Sequence, residues 1–282
     1  MRRNFSNCVT PIRSALLLAA GMGSRLSPLT DSTPKCLVEV NRIPILEKLM
    51  RALCSHGFER LVVVTGHLSD DIEDYLGSRY GDIEITYIKS PHYKTTNNIY
   101  SLWLAGKVIE GPFLLVESDL VFRPEMLAPM LQPDCVAVSK ILPWMNGTTV
   151  TLDRQQQLSA FCLGKEIREV GNHYKTVNIY NFSAETWELI WRRLDQYISA
   201  GKVHGYYEAV FAEMVAEGSI SLAPVFFDNK CWYEIDTLED LSAAEVMFPE
   251  PASVSVMAES LTQNAIGGRA VVEPLVKKAA SA

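Results

Sequence analysis

Apolar residues along this chain come in two alternating textures: short runs that end in glycine, and longer stretches with apolar positions at helical spacing. Ser14 to Ala20 is of the first kind, closed by Gly21, and predicts a buried strand. Glycine and proline then dominate to Pro34, and Cys36 to Val40 predicts a second short strand. From Pro44 to Ser55, Ile45, Leu46, Leu49 and Leu53 follow a helical spacing that Gly57 ends. The alternation continues with a strand at Arg60 to Thr65, an acid-led helix at Asp70 to Leu76 that suits the helix dipole, and a strand at Ile83 to Ile88. A helix at Asn98 to Ile109 and a buried strand at Phe113 to Val116 follow. Strand and helix in turn predict an α/β domain, a mostly parallel sheet with helices on both faces.

The second half reads as more mixed. Strands are predicted at Val136 to Ile141, Thr148 to Leu152, Leu158 to Leu163 and Thr176 to Phe182, then helices at Ala184 to Ala200 and Tyr206 to Glu217. Late strands at Ile220 to Phe227 and Trp232 to Ile235 precede a helix at Leu238 to Met247. After Phe248 the texture changes: Pro249 and Pro251 punctuate it, no aromatic residue follows, and Ala, Val and Ser dominate. The expected organisation is one domain over 1–248, with 249–282 a linker or peripheral tail that would also fit the junction to a fused domain.

Composition narrows the function classes. With 282 residues, 48% hydrophobic and 21% charged, the chain can bury a core without staples and is not broadly disordered. A formal net charge of −7 argues against nonspecific nucleic-acid binding and against an anionic membrane surface. The longest uninterrupted apolar run, Ala15 to Ala20, is far short of the ~20 residues that span a bilayer. Arg2 and Arg3 are not followed by an apolar run and a small-residue cleavage site, so no signal peptide is expected. The six cysteines are scattered without metal-ligand spacing, which is read as reduced thiols in a cytoplasmic protein.

The stretch Leu16-Leu17-Leu18-Ala19-Ala20-Gly21-Met22-Gly23-Ser24-Arg25-Leu26 carries the most chemistry. A strand feeding a glycine turn presents backbone N–H groups to anionic oxygens, and a following arginine grips phosphate with a planar fork. Pro34-Lys35 brings a second cation. This is not a P-loop, because no glycine is followed by Lys and Ser/Thr, and the third glycine of the dinucleotide fingerprint is replaced by Leu26. Ala-Ala-Gly-x-Gly-x-Arg-Leu, then Pro28-Leu29-Thr30, then Pro34-Lys35 resembles the nucleotidyltransferase superfamily with a Rossmann-like GT-A fold. The resemblance covers roughly Ala15 to Met247. It implies that Leu18, Ala19, Ala20, Gly21, Met22, Gly23 and Ser24 wrap the nucleotide, that Arg25 and Lys35 are catalytic, and that Asn98 and Ser101 touch the nucleoside. Asn98 would equally cap the helix it opens.

Asp119 follows a buried strand, and Glu234 and Asp236 stand two apart in a predicted strand, where side chains share a face. Confined carboxylates on one face favour a cation between them, and three oxygen donors with phosphate oxygens suit Mg²⁺. Asp236-Thr237-x-Glu239 also reads as a helix cap. The resemblance implies the metal role for Asp119, Glu234 and Asp236.

Thr96-Asn97-Asn98-Ile99-Tyr100-Ser101-Leu102 and Trp232-Tyr233-Glu234-Ile235-Asp236 are similar to the choline-phosphate type of cytidylyltransferase, and Lys175-Thr176-Val177-Asn178-Ile179-Tyr180 to relatives that activate 2-aminoethylphosphonate. A cationic headgroup calls for aromatic faces and a carboxylate, which Tyr206-Tyr207-Glu208 offers, with Trp144 and Tyr180 as further aromatics. Lys140 and Lys175 are candidates for the acceptor's phosphoryl oxygens. The implied reaction moves CMP from CTP to a small phosphonate or phosphomonoester headgroup of the 2-aminoethylphosphonate, hydroxyethylphosphonate or phosphocholine type, with loss of pyrophosphate, by a homodimer or part of a fused polypeptide. A sugar-1-phosphate nucleotidyltransferase or a noncatalytic nucleotide-binding module is the alternative.

Overall fold

The computed structural model describes residues 12–164 and 172–249. Its elements, in chain order, begin with β1 (Ser14–Ala19), three short 3-10 turns (Ser24–Leu26, Leu29–Asp31 and Lys35–Leu37), β2 (Glu39–Val40), β3 (Ile43–Pro44), α1 (Ile45–Ser55), β4 (Arg60–Thr65) and α2 (Ser69–Leu76). They continue with β5 (Arg79–Tyr80), β6 (Ile83–Lys89), α3 (Asn98–Ala105), β7 (Phe113–Glu117), β8 (Leu120–Phe122), a 3-10 stretch at Pro124–Leu131, β9 (Cys135–Lys140), β10 (Thr149–Leu152) and β11 (Leu158–Cys162). The last are β12 (His173–Phe182), α4 (Ala184–Ser199), α5 (Glu208–Ala216), β13 (Ala223–Phe227), β14 (Trp232–Glu234) and α6 (Leu238–Met247).

One sheet dominates, with the order β11-β10-β12-β7-β1-β4-β6-β5 and with β9 pairing both β12 and β13. Its heart is parallel: β1 pairs β4 and β7, and β4 pairs β6. β12 runs antiparallel to β7, β9 and β10. Both faces of β1 are buried, so alternate residues serve two cores. Ala15, Leu17 and Ala19 join a layer with Leu46, Leu49, Met50 and Leu53 of α1 and Ile72 of α2. Leu16 and Leu18 join the opposite layer with Ile99 and Leu102 of α3, Trp187 and Ile190 of α4, and Val210 and Phe211 of α5. This is the α/β sheet flanked by helices that the alternation of strand and helix predicts.

Two departures shape the site. Cys36 to Val40 is not one strand: Pro34, at φ −55° and ψ 141°, precedes a 3-10 turn at Lys35–Leu37, and only Glu39–Val40 is extended. β8 has no counterpart in the sequence reading, because three residues are too few to show a period. It pairs with β14 antiparallel, Glu234 opposite Leu120 and Trp232 opposite Phe122. One compact unit closes at Met247. The tail expected beyond it lies outside the described residues from position 250 onward. Among the described residues no helix is long and apolar enough to cross a membrane, and Cys36, Cys54, Cys135, Cys162 and Cys231 are free thiols.

Candidate active site

After β1 the chain moves to β4 and β6 on one side, then returns to β7 on the other. A cleft of about 280 Å³ opens at the carboxyl ends of these strands, where a parallel sheet reverses direction and places its ligands. Leu18, Ala20, Gly21, Gly23, Ser24, Arg25, Lys35, Asn98, Ser101, Asp119 and Asp236 all line it. Ala19 ends β1 with its side chain buried in the α1 layer, and Met22 is exposed beside the cleft loop. Gly23 sits at φ +62°, and a Cβ there would stand 3.1 Å from Thr30 Cγ2 and 3.2 Å from Lys35 Cβ. A side chain would therefore strain the turn and push Lys35.

Lys35 lies at the centre of the charge. Its Nζ donates to Asp119 Oδ2 at 2.7 Å and to Asp236 Oδ1 at 2.7 Å. Arg25 donates to the same Asp236 oxygen at 2.8 Å while remaining 61% exposed. Burial opposes the Lys35 charge, but the charges and hydrogen bonds of Asp119 and Asp236 outweigh it and hold the ammonium above the ordinary lysine range. β8 and β14 bring these acids together, since the Ile235 N–H donates to the Asp119 carbonyl at 2.9 Å. The capping role offered to Asp236 falls to its neighbours. Thr237 Oγ1 accepts from the Asp240 N–H at 3.2 Å, and Asp240 Oδ2 accepts from the Thr237 N–H at 2.8 Å, closing a reciprocal box that leaves the Asp236 carboxylate to the cleft.

The cleft floor holds residues that the sequence reading left without a role. Glu117, at the end of β7, accepts from Tyr207 Oη at 2.8 Å and from Asn98 Nδ2 at 3.1 Å. Asn98 Oδ1 in turn accepts from the Tyr207 N–H at 3.0 Å. Asn97, not Asn98, caps α3, its side chain accepting from the Asn98 N–H. Burial, then the charges of Asp119 and Glu208, push the Glu117 carboxyl well above the usual range. Tyr93 and Thr96 also face the cleft. Gly66 makes room for Tyr93, because a Cβ there would stand 2.8 Å from that side chain. Glu117 follows a buried strand directly, the one sequence signal that marked it.

The structure separates the acceptor candidates. Tyr206 is 61% exposed and lines the cleft, whereas Tyr207 and Tyr180 are fully buried and pack with Phe211. They belong to the core because α5 starts at Glu208, so Tyr207 turns inward under Glu117. Glu208 is buried too, and its Oε2 has no partner. Lys140 is exposed at the end of β9. Lys175 is buried, with its Nζ 3.2 Å from Glu234 Oε2. None of Lys140, Lys175, Tyr180, Tyr207 and Glu208 lines either cavity. A smaller second cavity shares Asp236 with the cleft and is lined by Trp144, Tyr233, Glu234 and Asp240.

Burial pushes the Glu208 carboxyl up to about 7, against the opposing pull of its own backbone hydrogen bond and of Lys175. An acid with a raised pKa binds more protons folded than unfolded, so its contribution to stability falls as pH rises from about 4.5 to about 7. Glu208→Gln should remove that part of the pH dependence and raise the melting temperature at pH 8 relative to the unsubstituted protein. Melting curves at pH 5 and pH 8 check this.

Mg²⁺ takes hard oxygen donors in octahedral geometry. Asp119 and Asp236 meet that demand: both face the cleft, they share one cation already, and Asp119 Oδ1 is a buried acceptor without a partner. Glu234 adjoins them but is held by Lys175 and Asn178, and no group of three His, Cys, Asp or Glu side chains among the described residues is placed to hold a metal. Of the three acids that the resemblance implies, the geometry thus joins two directly.

A glycine turn, two cations and paired acids thus meet at the carboxyl end of a parallel sheet. Residues 14–134 match the nucleotidyl transferase family model. The chain belongs to this family and is an enzyme of the nucleotidyltransferase class. Within it, the similarity runs to cytidylyltransferases. The chain is 30% identical over 233 residues to a 2-aminoethylphosphonate cytidylyltransferase of Lancefieldella rimae, covering 82% of this chain and 91% of that protein. It is 31% identical over 261 residues to a CMP-5'-(3-aminopropyl)phosphonate synthase of Streptomyces rubellomurinus, covering 89% of this chain but only 41% of that protein's length. The fold matches that of a CTP:phosphocholine cytidylyltransferase from Streptococcus pneumoniae, with a TM-score of 0.71 at 23% identity over 84% of this chain and 99% of that one.

Proposed function

We propose that this protein transfers CMP from CTP to a small phosphonate or phosphomonoester that carries a cationic amino headgroup, and that it releases pyrophosphate. The observation that carries the reading is Lys35 held between Asp119 and Asp236 beside the Gly21–Gly23 turn, in the cleft at the strand ends. The names of the two relatives above support the nucleotide and the acceptor class. The second cavity supports a cationic headgroup, because Trp144 and Tyr233 offer aromatic faces beside the Glu234, Asp236 and Asp240 carboxylates.

In this reading an acceptor oxygen forms a bond to the α-phosphorus of CTP, the bond from that phosphorus to the bridging oxygen breaks, and pyrophosphate leaves with the electron pair. The attacking group is already anionic near neutral pH, so the task is positioning and charge neutralisation. The glycine-turn N–H groups and Arg25 hold the departing phosphates, and Lys35 neutralises the crowded α-phosphoryl group. Asp119 and Asp236 would hold Mg²⁺, which when bound supplies charge neutralisation between the two anions.

The test is pyrophosphate release with four nucleoside triphosphates against 2-aminoethylphosphonate, phosphocholine and glucose 1-phosphate, with Mg²⁺ present. CTP with an amino-bearing acceptor should be turned over at least ten-fold better than any other pair. Preference for UTP and glucose 1-phosphate would overturn the assignment in favour of a sugar-1-phosphate nucleotidyltransferase.

A further inference from the structure

β12 contains an irregularity that the proposed chemistry leaves unexplained. Against β9, Thr176 pairs Val138 and Tyr180 pairs Val136, so four steps along β12 face two along its partner. The bulge lies where β12 leaves β10, paired through Lys175, and joins β7, paired from Ile179. Within it Asn178 adopts φ +60°, the left-handed region. Bulges of this kind re-aim side chains and recur beside functional sites.

The residue type at this bend is informative. Glycine enters the left-handed region most easily, yet Asn is the side-chain-bearing residue that also tolerates it. Here both ends of the side-chain amide have a partner. Asn178 Nδ2 donates to Glu234 Oε1 at 3.3 Å, and its Oδ1 lies 3.0 Å from Thr176 Oγ1, whose single proton is shared with the Thr148 carbonyl at 2.9 Å. The other Glu234 oxygen, Oε2, receives Lys175 at 3.2 Å. Asn178, in the middle of the bulge, and Lys175, just before it, therefore hold both oxygens of a carboxylate that lines the second cavity beside Asp236. Asn178 itself is buried.

The geometry points to Asn178 as a positioning residue that acts through Glu234 on the cationic headgroup of the acceptor. This rests on the cytidylyltransferase reading above. Asn178 touches no reacting atom; it decides which way the Glu234 carboxylate faces.

Asn178→Gly tests it, because glycine keeps the backbone and removes only the amide. The expected result is a KM for 2-aminoethylphosphonate raised about ten-fold, the scale of a hydrogen bond to a charged group, with KM for CTP and the Mg²⁺ half-saturation within two-fold of the parent. Thr176→Val, which removes the hydroxyl beside the Asn178 amide and leaves Asn178 in place, should shift the same KM in the same direction by less. Equal KM values in parent and Asn178→Gly, or a shift confined to CTP or Mg²⁺, would overturn the role. A readout independent of turnover is a double-mutant cycle in denaturant unfolding between Asn178→Gly and Glu234→Gln, whose effects should fail to add. Additive effects would remove the clamp. An unsubstituted protein that turns over neither amino-bearing acceptor, with the cycle still non-additive, would sink the function and leave the clamp standing.

Discussion

Lys35→Met should lower turnover by about 10²–10³-fold, the range seen when one preorganised donor to a developing charge is lost. The two hydrogen bonds of its Nζ, each 2.7 Å, place it where nothing else in the cleft supplies the same charge: Arg25 reaches only Asp236. The fold should survive. The Asp119 and Asp236 side chains are 13% and 11% exposed at the cleft wall, so solvent cations reach the carboxylates that lose their partner. Steady-state rates with CTP, alongside circular dichroism and a cooperative melting curve, check both parts. Near-parental turnover in a folded variant would take Lys35 out of the mechanism.

Asp236→Ala is expected to have the second large effect, in a different parameter. This residue accepts from Arg25 and Lys35 at one oxygen and faces both cavities. Its removal frees Arg25 from its anchor, leaves Lys35 with Asp119 alone, and takes away one of the two acids suited to Mg²⁺. The Mg²⁺ concentration for half-maximal rate should rise at least ten-fold, with turnover at saturating Mg²⁺ still reduced by about 10²-fold. α6 should be unaffected, because its first turn is capped by Thr237 and Asp240. A Mg²⁺ titration that overlays the parental one would remove Asp236 from the metal role, and a selective loss of helix would return it to a cap.

Of the parallel strands, β1, β4 and β7 were legible as short apolar runs buried on both faces, as Leu16, Leu17 and Leu18 show at 0%, 0% and 7% exposure, and β6 by the alternation of its buried and exposed residues. The glycine turn was legible because two glycines closing an apolar run mark a sharp turn, and Gly23 indeed adopts φ +62°. β8 was not, since a three-residue strand carries no period. The inward turn of Tyr207 was not, because Tyr206 and Tyr207 are chemically alike and only the first residue of α5 decides which faces Glu117 and which faces the cleft. The bend at Asn178 leaves no mark in a run that otherwise reads as ordinary strand.

By itself, the order of residues determined the α/β layering, the glycine turn after β1 and the acidic residues available near it, because each is local: a run of apolar side chains, a pair of glycines, carboxylates two apart. Only the tertiary structure decided which acids meet. Asp119 and Asp236 lie more than a hundred residues apart and share Lys35 because β8 pairs β14, while Glu234, two residues from Asp236, is drawn to Lys175 and Asn178 by a bulge in a different strand. Long-range pairing sets the distances between charges, and at a few ångströms those distances decide whether a carboxylate holds a lysine, a metal or a headgroup.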